Sequence, residues 1–159
     1  MQVPVFLDVN MRPPWWRLDK VDMLLRDAIQ VKLNQDELDT LVDGAGRTAD
    51  AKAQQLQSRY DIEQVNVTLG RNGAIARNYS EAIYTPGPEA GSIQVVDTVG
   101  AGDAFTSVAL LGFMLGWPLQ RTMDRAQQFA SAIVSVRGAV IGEQESYHPF
   151  IQRWELPQK

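Results

Sequence analysis

The sequence predicts an α/β fold, in which helices cover both faces of a parallel or mixed sheet. Short runs rich in β-forming residues alternate with longer segments whose apolar residues recur at helical spacing. Glycine, proline and polar clusters separate most of these segments. The chain has 159 residues, of which 45% are hydrophobic and 21% charged. This size and composition suit one domain spanning residues 1–159, with a core of its own.

The first half of the chain alternates strongly between the two patterns. Strands are predicted at 3–8, 29–33 and 65–69, where short apolar runs end at a charge, a polar residue or a glycine. The apolar spacing predicts a helix over 17–28. A short helix is expected to begin at Asn34 or Gln35 and to end near Gly44, and Thr48 or Asp50 can cap another that runs to about Arg59.

The second half is predicted to begin with a hairpin and to end with two long helices. Residues 74–77 and 81–85 have the pattern of paired strands, followed by a Pro-Gly-Pro turn at 86–88. Residues 93–96 are predicted to form one more strand. Helices are expected over 101–115 and 120–136, separated by Gly116-Trp-Pro118.

The composition argues against several classes of protein. A formal net charge of -4 is unlike the basic surface of a nucleic-acid-binding protein. With no cysteine, neither disulfides nor a thiolate metal site can form. The longest apolar run, 108–115, is too short to cross a bilayer, and the first residues lack the pattern of a secretory signal. We therefore expect a cytoplasmic protein without nucleic-acid or membrane partners.

A glycine-rich turn carries the strongest chemical signal. In the segment Asp97-Thr-Val-Gly-Ala-Gly-Asp-Ala-Phe105, two glycines permit a tight turn into a helix, where unpaired N–H groups and the positive helix end favour a phosphate. A carboxylate at Asp103 would repel that phosphate, but it suits a group that takes a proton from an attacking hydroxyl. The simpler alternative is that the glycines only shape the turn and Asp103 caps the helix.

The nine residues 97–105 resemble, almost residue for residue, the C-terminal signature of the ribokinase-like (PfkB) family of carbohydrate kinases. The resemblance implies a three-layer α/β/α fold and an anion hole formed by Gly100, Ala101 and Gly102. It implies that Asp103 is the catalytic base and contacts the sugar hydroxyl. It also implies a monovalent-cation site, possible for K⁺, beside Asp97.

Two further segments resemble nucleotide-binding elements of that family. Asn34-Gln-Asp-Glu37 is similar to its Asn-x-x-Glu motif, which implies that Asn34 lies near the ATP phosphates and that Glu37 holds Mg²⁺ through water. Helix capping alone also explains this pair. Thr68-Leu-Gly-Arg-Asn-Gly73 is similar to the Thr-x-Gly-x-x-Gly element, which makes Thr68, Gly70 and Gly73 expected contacts of ATP as well as residues of a turn.

The segment Asp8-Val-Asn-Met-Arg12-Pro-Pro-Trp-Trp16 resembles a stretch of fructokinase-like and keto-sugar-acid kinases. By that resemblance Asn10 and Arg12 approach the substrate. The alternative is that Asp8 pairs with Arg12 while the tryptophans cover a neighbouring helix.

Near the C-terminus, residues 126–138 resemble the region of the family that closes over adenine. Gly138 resembles a glycine near the cation loop.

The resemblance covers nearly the whole chain, but only the second half of the family's length. The missing half supplies most sugar contacts and the β-sheet lid, so we expect no lid domain here. Three interpretations stay open: one half of an ATP- and Mg²⁺-dependent, fructokinase-like sugar kinase, a nucleotide-binding or regulatory module without catalysis, and an inert remnant. An unpaired sheet edge predicts a homo-oligomer, or a complex with an N-terminal half.

Overall fold

The computed structural model describes residues 3–44, 46–89, 91, 93–135 and 144–156. Short 3₁₀ turns occupy Gly70–Asn72 and Gln144–Tyr147. The strands and helices follow in the order β1 Phe6–Asp8, α1 Leu18–Asp27, β2 Gln30–Asn34, α2 Gln35–Leu41, α3 Ala49–Tyr60, β3 Gln64–Thr68, β4 Ala74–Asn78, β5 Ala82–Thr85, α4 Ala101–Met114, α5 Leu119–Ile133 and α6 His148–Arg153.

The strands form one mixed sheet in the order β1-β2-β3-β4-β5. Strands β1, β2 and β3 are parallel, whereas β4 and β5 follow as an antiparallel hairpin. Because parallel strands end at the same edge, the register brings Asn34 beside Thr68 and Lys32 beside Asp8. Within the described ranges there is no second sheet that would act as a lid.

Alternating side chains divide the interior into two cores, one on each face of the sheet. Val31, Leu33, Val65 and Val67 are fully buried against α1, α2 and α3. On the opposite face, Ala74 and Ala76 lie in a second core with α4, α5 and α6. Helices therefore cover both faces, and the predicted α/β class with three layers is confirmed.

The predicted strand at 93–96 is wrong. Residues 93–98 have no regular structure. The N–H groups of Val96 and Asp97 donate instead to the carbonyl oxygen of Val134, at 2.8 and 3.2 Å, so this segment is bonded to the end of α5. Helix α5 ends at Ile133, earlier than the predicted end at 136, a residue that lies outside the described ranges. The short helix α6 was not predicted.

Strand β1 forms an open edge of the sheet among the described residues. Before it, Val3 and Val5 are 74% and 38% exposed. Helix α1, which joins β1 to β2, also exposes apolar side chains at Leu18, Met23 and Leu24. Among the described residues, none of the helices has the length and apolar character needed to span a bilayer.

Candidate functional site

The turn before α4 has the geometry of an anion-binding site. Gly100 precedes the helix with φ of 84°, a left-handed conformation that glycine adopts without strain. Among the described residues no side chain caps the helix N-terminus. The Ala101 N–H donates to the Thr98 carbonyl at 3.4 Å, whereas the N–H groups of Gly102 and Asp103 have no backbone partner there and are available to a ligand. The turn is fixed by the Asp97 carboxylate, which accepts from the N–H of Val99 at 2.9 Å, and by the Ala104 N–H, which donates to the Gly100 carbonyl at 2.8 Å.

This turn lies over the carboxyl ends of β1 and β2. A β-carbon built at Gly102 would be 3.2 Å from Lys32 Nζ, a tight contact that the lysine would have to relieve by a small shift. Lys32 Nζ is 3.2 and 3.3 Å from the two carboxylate oxygens of Asp8. The hydroxyl of Thr106, one turn into α4, donates to Asp8 Oδ2 at 2.6 Å. Sheet and helix therefore meet at a charged contact directly beneath the turn.

Asp103 is placed where the sequence predicts it, in the first turn of α4. Its side chain is exposed, unlike its neighbours Ala104 and Phe105, which enter the core. Within the described ranges the carboxylate makes no hydrogen bond or ion pair. It is therefore able to accept a proton from a bound hydroxyl.

Asn34 and Glu37 form a reciprocal capping box at the start of α2. The Asn34 side chain accepts from the Glu37 N–H at 2.9 Å, and Glu37 Oε2 accepts from the Asn34 N–H at 2.8 Å. Glu37 Oε1 accepts from the N–H of Met11 at 2.8 Å, and the residue is only 7% exposed. The capping interpretation explains the bonds between Glu37 and Asn34. The bond to Met11 additionally ties the loop after β1 to the end of β2. Each oxygen still has a second lone pair, which a magnesium-bound water can use.

Arg12 and Asn10 contact each other in the loop after β1. Arg12 Nε donates to Asn10 Oδ1 at 3.1 Å, and both side chains are exposed. The alternative pairing of Asp8 with Arg12 is wrong, because Asp8 pairs with Lys32. Trp15 is 86% exposed and covers no helix, whereas Trp16 packs against the core on the α1 side of the sheet.

Thr68, Gly70 and Gly73 bound a tight turn at the end of β3. Thr68 is the last residue of the strand and pairs with Asn34. Gly73 has φ of 95°, and a β-carbon there would be 2.1 Å from the carbonyl oxygen of Thr85. The glycine is therefore required by the close packing of two backbones, while Gly70, with φ of 58°, faces open space.

A shallow cavity of about 420 Å³, widely open to solvent, lies beside the end of α5. Its wall combines the proline turn after β5 with the second half of α5, including Pro86, Pro88, Gln127 and Ser131. The cavity includes part of the segment predicted to close over adenine, whereas Gly138 lies outside the described residues.

Sequence reasoning missed Lys32 and Thr106 as members of the site. A lysine between Val31 and Leu33 in a buried strand was the available signal, since a charge there requires a partner. In the described part of the chain, no group of three or more acidic or histidine side chains forms a metal site by itself. The ends of β2 and β3, with the start of α2, carry Asn34, Thr68 and Glu37. The turn from Gly100 to Asp103 lies above β1 and β2.

Known proteins are similar to this chain over most of its length. The model of the pfkB family carbohydrate kinases matches residues 2–146. The chain is 29% identical to a fructokinase of Escherichia coli over 147 residues, which are 86% of this chain and 46% of the relative. The chain therefore spans less than half the length of that curated relative.

Solved structures show the same fold. A ribokinase of Thermotoga maritima aligns with a TM-score of 0.75 and 20% identity, covering 96% of this chain and 50% of the ribokinase. An Escherichia coli protein described as a ribokinase II, in complex with ATP and Mg²⁺, aligns with a TM-score of 0.73 and 21% identity, covering 92% and 47% of the two chains.

Proposed function

Because this chain belongs to the pfkB family of carbohydrate kinases, we propose that it is the nucleotide-binding half of an ATP-dependent sugar kinase. One observation carries the proposal: within the described ranges, the Asp103 carboxylate has no partner and lies in the first turn of a helix that no side chain caps. The amides favour a phosphate, and the carboxylate favours an attacking hydroxyl beside it. Phosphoryl transfer needs both groups at one point.

In this proposal the reaction moves one phosphoryl group and one proton. Asp103 accepts the proton of a sugar hydroxyl, whose oxygen forms a bond to the γ-phosphorus of ATP as the bond to ADP breaks. The amides at Gly100, Ala101 and Gly102 stabilise charge on the transferred group. Mg²⁺, when bound, offsets the charge of the phosphates, and Glu37 orients its water. Asp97 is the candidate ligand of a monovalent cation such as K⁺.

The nucleotide is proposed to lie along the edge of the sheet. Asn34 and Thr68 are adjacent at the ends of β2 and β3, where polar groups can face the ATP phosphates. Gly70 and Gly73 let the backbone of the following turn approach the nucleotide. The cavity beside α5 is the proposed adenine site. The E. coli ribokinase II complex with ATP and Mg²⁺ supports this choice of ligands.

A fructokinase-like substrate is the first choice for the sugar. The similarity to a fructokinase over 86% of this chain supports it. Asn10 and Arg12 form an exposed polar pair on the loop that Glu37 ties to α2, and they are the proposed contacts to substrate oxygens. Cytoplasmic location, where ATP and free sugars meet, stays a prediction.

A second candidate is a nucleotide-binding or regulatory module without catalysis. The aligned region covers 46% of the fructokinase. Catalysis requires the hydroxyl to be held in line with the γ-phosphate and shielded from water, which half a site does poorly. Such a module would bind ATP without turnover, whereas an inert remnant would not bind it.

Calorimetric titration with MgATP tests the nucleotide site. We expect saturable binding to the wild-type chain and at least about tenfold weaker binding to Gly102→Val, because a β-carbon there is 3.2 Å from Lys32 Nζ and the larger valine side chain must move either the lysine or the turn. Ser107→Val is the matched control, since the exposed Ser107 hydroxyl donates to the helix carbonyl of Ala104 and to no other group that the structure describes. Absence of saturable binding, or equal binding by wild type and Gly102→Val, would contradict the proposal.

The open edge at β1 is the proposed contact with a second polypeptide, either another copy or an N-terminal half. Exposed edges with apolar flanks favour strand addition. Sedimentation of the wild-type chain is expected to show self-association that Val5→Lys weakens, because a lysine at an edge disfavours pairing. A wild-type chain that stays monomeric at all concentrations would argue against the homo-oligomer.

A further inference from the structure

An ion pair between a buried lysine and a half-buried aspartate lies directly under the turn from Gly100 to Asp103, the proposed phosphate-binding turn. The side chain of Lys32 is 8% exposed and that of Asp8 is 21% exposed. Lysine is seldom buried in a strand unless a partner offsets its charge. The Asp8 carboxylate is that partner, and the lysine also lies against the backbone of Gly102 in the turn above.

Thr106 connects this ion pair to the helix. Its hydroxyl donates to Asp8 Oδ2 at 2.6 Å and lies 3.0 Å from the carbonyl oxygen of Gly102, its alternative acceptor. Asp8 and Thr106 are 98 residues apart in the chain. The hydroxyl is thus a specific link between the end of β1 and the first turn of α4.

We propose that Asp8, Lys32 and Thr106 position the phosphate-binding turn over the ends of β1 and β2. Lys32 and Thr106 are then positioning residues for the bound phosphate, and Lys32 keeps the nearby Asp8 carboxylate from repelling it. This inference rests on the proposed function, since the γ-phosphate of ATP is the group that the turn would hold.

We call Asp8, Lys32 and Thr106 together the anchor. Its hydroxyl and its ion pair are expected to affect ligand binding in different ways. Thr106 acts through geometry, so its loss affects ligands that place a phosphate at the turn and leaves the adenosine part unaffected. Lys32 acts through charge, because without it the half-buried Asp8 carboxylate faces the phosphate unneutralised. Removal of both charges, on Lys32 and on Asp8, leaves the surface beneath the turn uncharged again.

The first test compares MgATP with adenosine by calorimetry. Thr106→Val is expected to weaken MgATP binding at least about fivefold, the effect of one lost hydrogen bond, with adenosine binding unchanged. Thr106→Ser, which keeps the hydroxyl, is expected to restore the affinity. Equal loss for both ligands, or unchanged MgATP binding in Thr106→Val, would overturn the role of the hydroxyl.

A charge cycle tests the ion pair. Lys32→Met is expected to weaken MgATP binding at least about tenfold, whereas the double variant Asp8→Asn with Lys32→Met recovers most of that loss. Failure of the double variant to bind better than Lys32→Met would show that the lysine does not act by neutralising Asp8.

Amide hydrogen exchange without nucleotide tests the anchor independently. The N–H of Ala104, bonded to Gly100, is expected to exchange about fivefold faster in Thr106→Val because the first turn opens more often. Ser107→Ala, the same loss of a hydroxyl one residue further on, leaves the rate unchanged. If the wild-type chain fails to bind MgATP, the proposed function is contradicted, while unchanged exchange in Thr106→Val contradicts the anchor.

Discussion

Replacing Asp103 by asparagine is expected to lower phosphoryl transfer by about 10²- to 10⁴-fold, the usual contribution of a general base. The affinity for MgATP is expected to stay within about threefold or to rise, because the amide keeps the shape of the carboxylate and removes its repulsion of the phosphates. The effect therefore falls on the rate and not on nucleotide binding.

The rate is measured as ADP release from MgATP with fructose and related sugars. The chain is assayed alone and together with the separately expressed N-terminal half of the Escherichia coli fructokinase. This partner is chosen because the present chain covers 46% of that relative. Asp27→Asn, an exposed substitution at the end of α1, is the control. Transfer by Asp103→Asn at the wild-type rate would remove the base from the mechanism, and wild-type binding without turnover in either assembly would favour the non-catalytic module.

Replacing Gly73 by alanine is expected to destabilise the fold by about 3 kcal/mol or more. The new β-carbon would overlap the Thr85 carbonyl, 2.1 Å away, and φ of 95° is unfavourable for any residue with a side chain. The clash involves backbone on both sides, so rotation of a side chain cannot relieve it.

Urea denaturation of Gly73→Ala and Gly70→Ala separates the clash from the backbone strain. Gly70 also has positive φ but meets no atom within 4 Å, so its alanine variant should lose only about 1 kcal/mol. Equal losses in the two variants would mean that the contact with Thr85 does not constrain the turn.

The sequence predicted most of the elements because local signals mark their ends. Asn34 caps α2 and ends β2, and Gly70 follows β3 by two residues, as the pattern of each segment indicated. The strand at 93–96 was predicted from the β-forming side chains of Val95 and Val96. The prediction is wrong because the N–H of Val96 donates to the Val134 carbonyl at the end of α5 and not to a neighbouring strand. Such a partner is set by tertiary contacts that a local pattern does not contain.

The candidate site was predictable only where its residues are close together in the sequence. The segment from Asp97 to Asp103 carries its own turn and helix signals, so its geometry agrees with the pattern. The contact of Asp8 with Lys32 spans 24 residues, and that with Thr106 spans 98. Parallel pairing of β1 with β2 creates the first contact, and packing of α4 on the sheet creates the second. No spacing rule relates their positions.

The Glu37 carboxylate joins two segments to which different ligands have been assigned. One oxygen holds Met11, next to the loop residues proposed to contact the sugar, and the other holds Asn34, proposed to lie near the ATP phosphates. Any ligand that tightens one of these bonds changes the freedom of the other segment. By thermodynamic linkage, sugar and nucleotide would then alter each other's affinity by the same factor. The Glu37 side chain would carry this coupling between the two binding sites.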